Sequence, residues 1–235
     1  MTIKAILFGG IGTLLETSEI QRMAFNEAFD RCGLDWHWDR DAYLDMLAIP
    51  GGVQRILRYA EAQGDTAIDQ EAAERLHADK TTYFHAAIKE GGLNARDGVE
   101  PLVSHCLNAN IALGFATTTD AQTARAVLDA IGIDPAVFSV ITHRDLVAAA
   151  KPDPAVYLHC LTHLGIAADE AVAIEDSESG LQSAVRAGLP CIVTPGANTL
   201  GQDYEGALAV IADLDIAQRS LSLFGELGAA HTDAA

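Results

Sequence analysis

The chain has 235 residues, 49% of them hydrophobic, which is enough for one large core and a smaller second unit. Its 15 Lys+Arg against 33 Asp+Glu give a formal charge of −18, so no cationic face is on offer to nucleic acid or to an anionic membrane. No apolar run reaches the roughly 18 residues of a membrane span.

Residues 3–8 are apolar apart from Lys4 and read as a buried strand opening the fold, without the long apolar region and cleavage site of a signal peptide. A stretch without strand candidates follows, with helical patterns over 19–32, 39–48, 52–63 and 69–89. Gly91, Gly92 and Gly98 mark the return linker. Apolar runs at 111–116, 137–142, 171–174, 191–194 and 207–211 then alternate with helices at 120–131, 154–164 and 180–187, and Gly132, Gly165 and Gly188 stand at the helix ends. The pattern predicts an α/β fold: a doubly wound, mostly parallel, Rossmann-like sheet formed by 1–16 plus 91–235, with a helical cap inserted over 17–90. The tail after Leu227 is small and polar and is expected to fray. Cys32, Cys106, Cys160 and Cys191 form no CxxC pair, so buried thiols in a reducing cytoplasm are expected.

Four segments fall at strand ends in chain order. They are Phe8-Gly9-Gly10-Ile11-Gly12-Thr13-Leu14, Ala116-Thr117-Thr118-Thr119, Lys151-Pro152-Asp153-Pro154 and Ile174-Glu175-Asp176-Ser177-Glu178-Ser179-Gly180. Together they resemble the four motifs of the haloacid dehalogenase superfamily, over essentially the whole chain. Runs such as Ala24-Phe25-Asn26-Glu27, Trp36-His37-Trp38 and Gly51-Gly52-Val53-Gln54-Arg55 narrow the resemblance to sugar-phosphate phosphatases and β-phosphoglucomutase-like proteins. The xylulose-1,5-bisphosphate phosphatase-like (CbbY-type) branch is the nearest of these.

The resemblance implies phosphoryl transfer through an aspartyl-phosphate, with a second carboxylate two residues on as acid/base and Mg²⁺ neutralising the charge. Carried over residue by residue, Thr117, Thr118 and Lys151 are the phosphate-binding side chains, and Glu175 and Asp176 the remnant, weak magnesium ligands. Taken singly, Thr117 reads as a strand-end residue, Lys151 as a solvated cation and Asp176 as a helix N-cap. Glu16, Gln21, Gly52, Arg55 and Lys80 match substrate or cap positions. Gln21 stands where relatives carry a histidine and Val53 where they carry a lysine; an exposed cation on an amphipathic helix is the competing reading of Arg55 and Lys80.

The first motif departs from its pattern, Asp-x-Asp-Gly-Thr-Leu. With Gly12-Thr13-Leu14 fixing the register, Gly9 occupies the nucleophile position and Ile11 the acid/base position, and no register shift helps because 4–15 contains no carboxylate. Neither side chain can attack phosphorus, ionise or bind a cation. The expectation is an impaired phosphatase-like protein with no cofactor or only weakly bound magnesium. Phosphate or a sugar phosphate would sit near Lys151 and Thr117, held in part by a backbone N–H nest at Gly10–Gly12. Lys151 has a second reading, a closed ion pair with Glu175. Two other functions compete: an active hydrolase using a displaced carboxylate such as Glu16 or Glu175, and a non-catalytic interaction protein with an unknown partner. His159 and His163 have zinc-pair spacing but no third ligand, and read as helix-surface residues. Trp36 and Trp38 read as cap packing.

Overall fold

The computed structural model describes residues 3–47, 49 and 51–214; the tail after Leu227 lies outside these. The chain divides into two compact units, Met1–Glu16 with Leu93–Ala235, and Thr17–Gly92.

The first unit is built on a sheet of order β3-β2-β1-β4-β5-β6, with every described pairing parallel. Its strands are β1 (Ala5–Gly9), β2 (Ala112–Ala116), β3 (Val140–Thr142), β4 (Ala171–Glu175), β5 (Cys191–Val193) and β6 (Ala209–Val210). β1 and β4 are buried along their whole length, as continuous apolar runs covered on both faces must be. The short helix α1 (Ile11–Leu14) follows β1 at once. α6 (Val99–Asn108), α7 (Ala121–Ala130), α8 (Ala155–Leu164) and α9 (Glu178–Arg186) make the crossovers. α6 has no counterpart among the sequence-predicted helices, because Gly98, its N-cap, reads as linker. Asp120 caps α7 by accepting from the Thr123 N–H, while Gly132 and Gly165 take left-handed φ of 71° and 65° just past their helices. Because β1 lies between β2 and β4, the strand order reverses there, and loops from three neighbouring strands open at one carboxyl edge.

The second unit consists of α2 (Ser18–Arg31), α3 (Arg40–Leu47), α4 (Gly52–Gln63) and α5 (Gln70–Lys89). Its core is aromatic. Trp38 is fully buried with ring centroids 4.7 Å from Phe25, 5.0 Å from Phe29 and 5.5 Å from Tyr59, and Trp36 lies 5.4 Å from Phe29, so both tryptophans pack within the cap. Asn26 fixes the backbone there, donating to the Trp38 carbonyl at 2.9 Å and accepting from its N–H at 2.8 Å. Of the four cysteines, Cys106, Cys160 and Cys191 are buried, but Cys32 is exposed at the end of α2, against the expectation for it. Trp38→Ala is expected to cost the cap about 3–5 kcal/mol, the usual penalty for emptying a large aromatic site. Hydrogen exchange of α2 and α5 amides checks this, and unchanged protection would contradict the packing described.

Candidate functional site

β1 ends at Gly9, paired on one side with Ala116 of β2, while the preceding Phe8 pairs with Ile174 of β4. The strand end that would bear a reactive side chain therefore bears a hydrogen, and the next residue in β4 is Glu175. The Glu175 side chain fills the space. A Cβ at Gly9 would lie 2.1 Å from Glu175 Oε1 and 2.5 Å from the Tyr157 hydroxyl oxygen. On the other side, a Cβ at Gly180 would lie 2.0 Å from Glu175 Oε2. The carboxylate is thus seated against two residues without side chains, and it is only 1% exposed.

A carboxylate so buried needs donors to replace water. Lys151 Nζ lies 2.6 Å from Glu175 Oε1, and the Tyr157 hydroxyl on α8 donates to the same oxygen. Lys151 also donates to the Ala116 carbonyl at 2.9 Å, and its ammonium stands 5.1 Å from the Tyr157 ring centroid. Burial, and then the Glu175 charge beside it, pushes the Tyr157 phenol well above its usual range, so it serves as a neutral donor. Lys151 is consequently not a solvated cation: its partner is Glu175.

Asp176 lies over the β1–α1 turn. It accepts from the Thr13 hydroxyl at 3.3 Å, and a Cβ at Gly12 would lie 2.1 Å from its Oδ2, so only glycine admits this approach. It does not cap α9; Ser177 does, accepting from the Gly180 N–H at 3.2 Å. Desolvation first, and then the Glu175 charge, raise the Asp176 carboxyl from 3.8 to about 6, against the opposing pull of Lys151, Arg96 and Thr13. Thr117 is buried at the end of β2, its hydroxyl oxygen accepting from the Thr119 N–H at 3.2 Å, and Thr118 beside it is half-buried. The Gly10 N–H, expected in an anion nest, donates to the Ala116 carbonyl at 3.3 Å. That bond closes the gap between the β1 and β2 ends.

Glu16, a candidate displaced nucleophile, is exposed and accepts from the Ala197 N–H at 2.9 Å, holding the loop after β5. Within the cap, Lys80 is not an exposed cation but 7% exposed, donating to the Gln21 side-chain oxygen, with its ammonium 4.9 Å from the Phe25 ring centroid and 5.1 Å from that of Phe84. Arg55 is half-buried, donates to the Ile49 carbonyl at 2.8 Å, and has its pKa lowered by desolvation. Gly52 opens α4 where a Cβ would meet the His77 ring at 2.2 Å. His159 is not merely a surface residue; its Nδ1 is 2.9 Å from the Thr142 hydroxyl, whereas His163 is exposed.

Comparison with known proteins identifies the family. The profile described as haloacid dehalogenase-like hydrolase matches residues 7–194. The chain belongs to the haloacid dehalogenase-like hydrolase family. Within that family it is 40% identical to the protein CbbY of Cereibacter sphaeroides over 96% of this chain and 94% of that one. It is 38% identical to CbbY of Rhodobacter capsulatus over 92% of this chain and 96% of that one. The crystal structure of CbbY from Rhodobacter sphaeroides in complex with phosphate superposes with a TM-score of 0.84 at 38% identity, covering 91% of this chain and 96% of that one. A mutant of the same protein in complex with xylulose-(1,5)bisphosphate gives the same figures. A β-phosphoglucomutase from Clostridium difficile, at 19% identity and a TM-score of 0.78, shares the fold, covering 96% of this chain and 98% of that one.

The family generally uses magnesium, and the residues present at the β1 and β4 ends do not fit that ion. Mg²⁺ demands near-octahedral oxygen coordination at about 2.1 Å. Of the two carboxylates here, Glu175 is bound through Oε1 by a lysine and a tyrosine. Asp176 stands beside Gly12, and positions 9 and 11 contribute no oxygen ligand from their side chains. Among the described residues no group of three His, Cys, Asp or Glu side chains is placed to hold a metal.

One residue escaped the sequence reading. Arg96 donates to the carbonyls of Gly12, Thr194 and Pro195 at 2.9, 2.8 and 3.0 Å, and to the Thr194 hydroxyl at 2.9 Å, tying the β1 turn to the loop after β5. Nothing in its local sequence distinguishes it from a solvated linker cation.

Because folded Asp176 holds its proton more tightly than the unfolded chain, its charge costs stability above about pH 6, and that cost fades as pH falls towards 4. Asp176→Asn is expected to raise stability by about 1–3 kcal/mol at pH 7.5 and to match the wild type at pH 4. Thermal melts at the two pH values check this; a variant less stable than wild type at pH 7.5 would contradict it.

Proposed function

We propose that this chain is a sugar-phosphate phosphatase-like protein that has lost phosphoryl transfer and retains phosphate or a sugar phosphate as its ligand class. The ligand class is supported by the likeness to CbbY, whose crystal structures are complexes with phosphate and with xylulose-(1,5)bisphosphate. One observation carries the loss of chemistry: the β1 terminus is Gly9, with the Glu175 carboxylate filling the volume of any side chain there. Removing a covalent nucleophile lowers turnover on the order of 10⁶-fold, leaving only what binding groups supply.

A displaced carboxylate is not favoured as a substitute. Glu175 would have to give up two donors to act as a base or nucleophile, and Glu16 is engaged by the loop after β5. Ile11 opens α1 without an ionisable group, so protonation of the leaving oxygen has no donor there either.

The test is release of phosphate from p-nitrophenyl phosphate and from xylulose 1,5-bisphosphate with magnesium at pH 7.5. Wild type and Glu175→Gln are expected to be indistinguishable from buffer, whereas the double substitution Gly9→Asp, Ile11→Asp gains measurable turnover. Steady wild-type turnover that disappears in Glu175→Gln would show that a displaced carboxylate does the chemistry after all.

A further inference from the structure

The loop that follows β5 carries none of the four motifs, yet it bonds to both sides of one contact at the strand ends. Arg96 reaches it from the return linker, donating to the Thr194 and Pro195 carbonyls and to the Thr194 hydroxyl, and the same guanidinium donates to the Gly12 carbonyl in the β1–α1 turn. All four acceptors are neutral oxygens, so what the loop and the turn draw from the guanidinium is its fixed fork of donors. Further along the loop, the Thr199 hydroxyl donates to the Asp176 carbonyl at 2.5 Å and accepts from the Gly196 N–H at 2.8 Å. The Tyr204 hydroxyl holds Thr199, donating to its carbonyl at 2.7 Å. The Gln202 side chain accepts at 2.9 Å from the Glu178 N–H that opens α9. Glu16 is tied to the same loop through the Ala197 N–H, where a Cβ at Gly196 would lie 2.6 Å from Glu16 Oε2.

We propose that Arg96 and residues 194–204 form a positioning device that holds the β1–α1 turn against Asp176, with Arg96 as its positioning residue. The bonds close a ring. It runs from the Gly12 carbonyl to Arg96, on to Thr194 and Pro195, and through Gly196 and Thr199 to the Asp176 carbonyl. Asp176 then returns to the turn by accepting from the Thr13 hydroxyl at 3.3 Å. Two features call for such a ring. Asp176 approaches Gly12 so closely that a Cβ there would be 2.1 Å from its Oδ2, which leaves little room for either partner to shift. The sheet does not set that approach, because β1 ends at Gly9 and β4 at Glu175, and both partners lie beyond those ends. Their spacing is set from the side, by one loop bound to the carbonyls of both. A lysine at position 96 would keep the charge, but its compact ammonium lacks the planar fork that spans Gly12, Thr194 and Pro195 at once.

What the device does for a ligand rests on the sugar-phosphate reading above, since the turn and Asp176 border the strand ends where that reading seats phosphate. The experiment pairs amide hydrogen exchange with isothermal titration of inorganic phosphate, on the full chain at pH 7.5, with a thermal melt of each variant. In Arg96→Met, exchange at the Leu15 and Glu178 amides is expected to rise at least about tenfold, although neither amide is bonded to Arg96. Phosphate affinity is expected to fall by at least about tenfold. Arg96→Lys is expected to behave like Arg96→Met. Thr199→Val, which opens the ring on its far side, is expected to give the same two effects, and it decides alone should Arg96→Met lose its cooperative melt. Wild-type protein that binds no phosphate sinks the preceding reading, and exchange then decides this one. Folded variants whose exchange changes only beside position 96 and at 194–197 overturn the proposal. So does Arg96→Lys at the wild-type level, because charge alone would then suffice. Where the wild type binds phosphate, variants that exchange faster but bind it equally well overturn the positioning role too.

Discussion

A buried ammonium and a buried carboxylate, 2.6 Å apart at the meeting point of three strands, set the constraints on the rest of the site. Burying either ion alone would cost several kcal/mol, and the pair is tolerable only because its remaining valences are met. Tyr157 supplies a second donor to the carboxylate, and the Ala116 carbonyl accepts a second hydrogen bond from the lysine. The surrounding sequence follows from that geometry. Glycines at positions 9 and 180 leave the space that the carboxylate fills, α8 presents its tyrosine inward, and β4 delivers an acidic residue at its last position.

The sheet topology makes these requirements compatible. Placing β1 between β2 and β4 brings residues some 165 apart in sequence side by side without any long side chain reaching across. Lys151 enters from the loop before α8, and Arg96 pins the β1 turn to the loop after β5 through four donated bonds. In an active member of the family this framework would position a nucleophile. Here the same framework closes over a glycine. Asp176, near Glu175, has its carboxyl pKa raised by burial first and by that second acid next.

The mostly parallel sheet and the run of helices after the first strand were legible because buried strands are uniformly apolar and helices keep their period and their terminal glycines. The degenerate first motif was legible too, since Gly12-Thr13-Leu14 anchors its register and the two replacements lack any polar group. Sequence could not choose between phosphate and Glu175 as the partner of Lys151. That choice depends on the space vacated at Gly9 and on Tyr157, a residue that looks like ordinary core in the helix after Pro154. For Lys80 and Arg55 it is the exposed-cation reading that the structure opposes. On a helical wheel they sit as surface cations, whereas Phe25 and Phe84 cover one and the Ile49 carbonyl binds the other. Arg96 was invisible because its partners are mostly backbone carbonyls, which carry no sequence signature.

The central claim concerns where one side chain rests, so a high-resolution crystal structure grown in magnesium and phosphate tests it most directly. The account predicts the Glu175 carboxylate packed against Gly9 and Gly180, bonded to Lys151 and Tyr157, with no cation coordinated by Asp176. A Glu175 turned away from Lys151 to ligate magnesium beside Asp176 would contradict it.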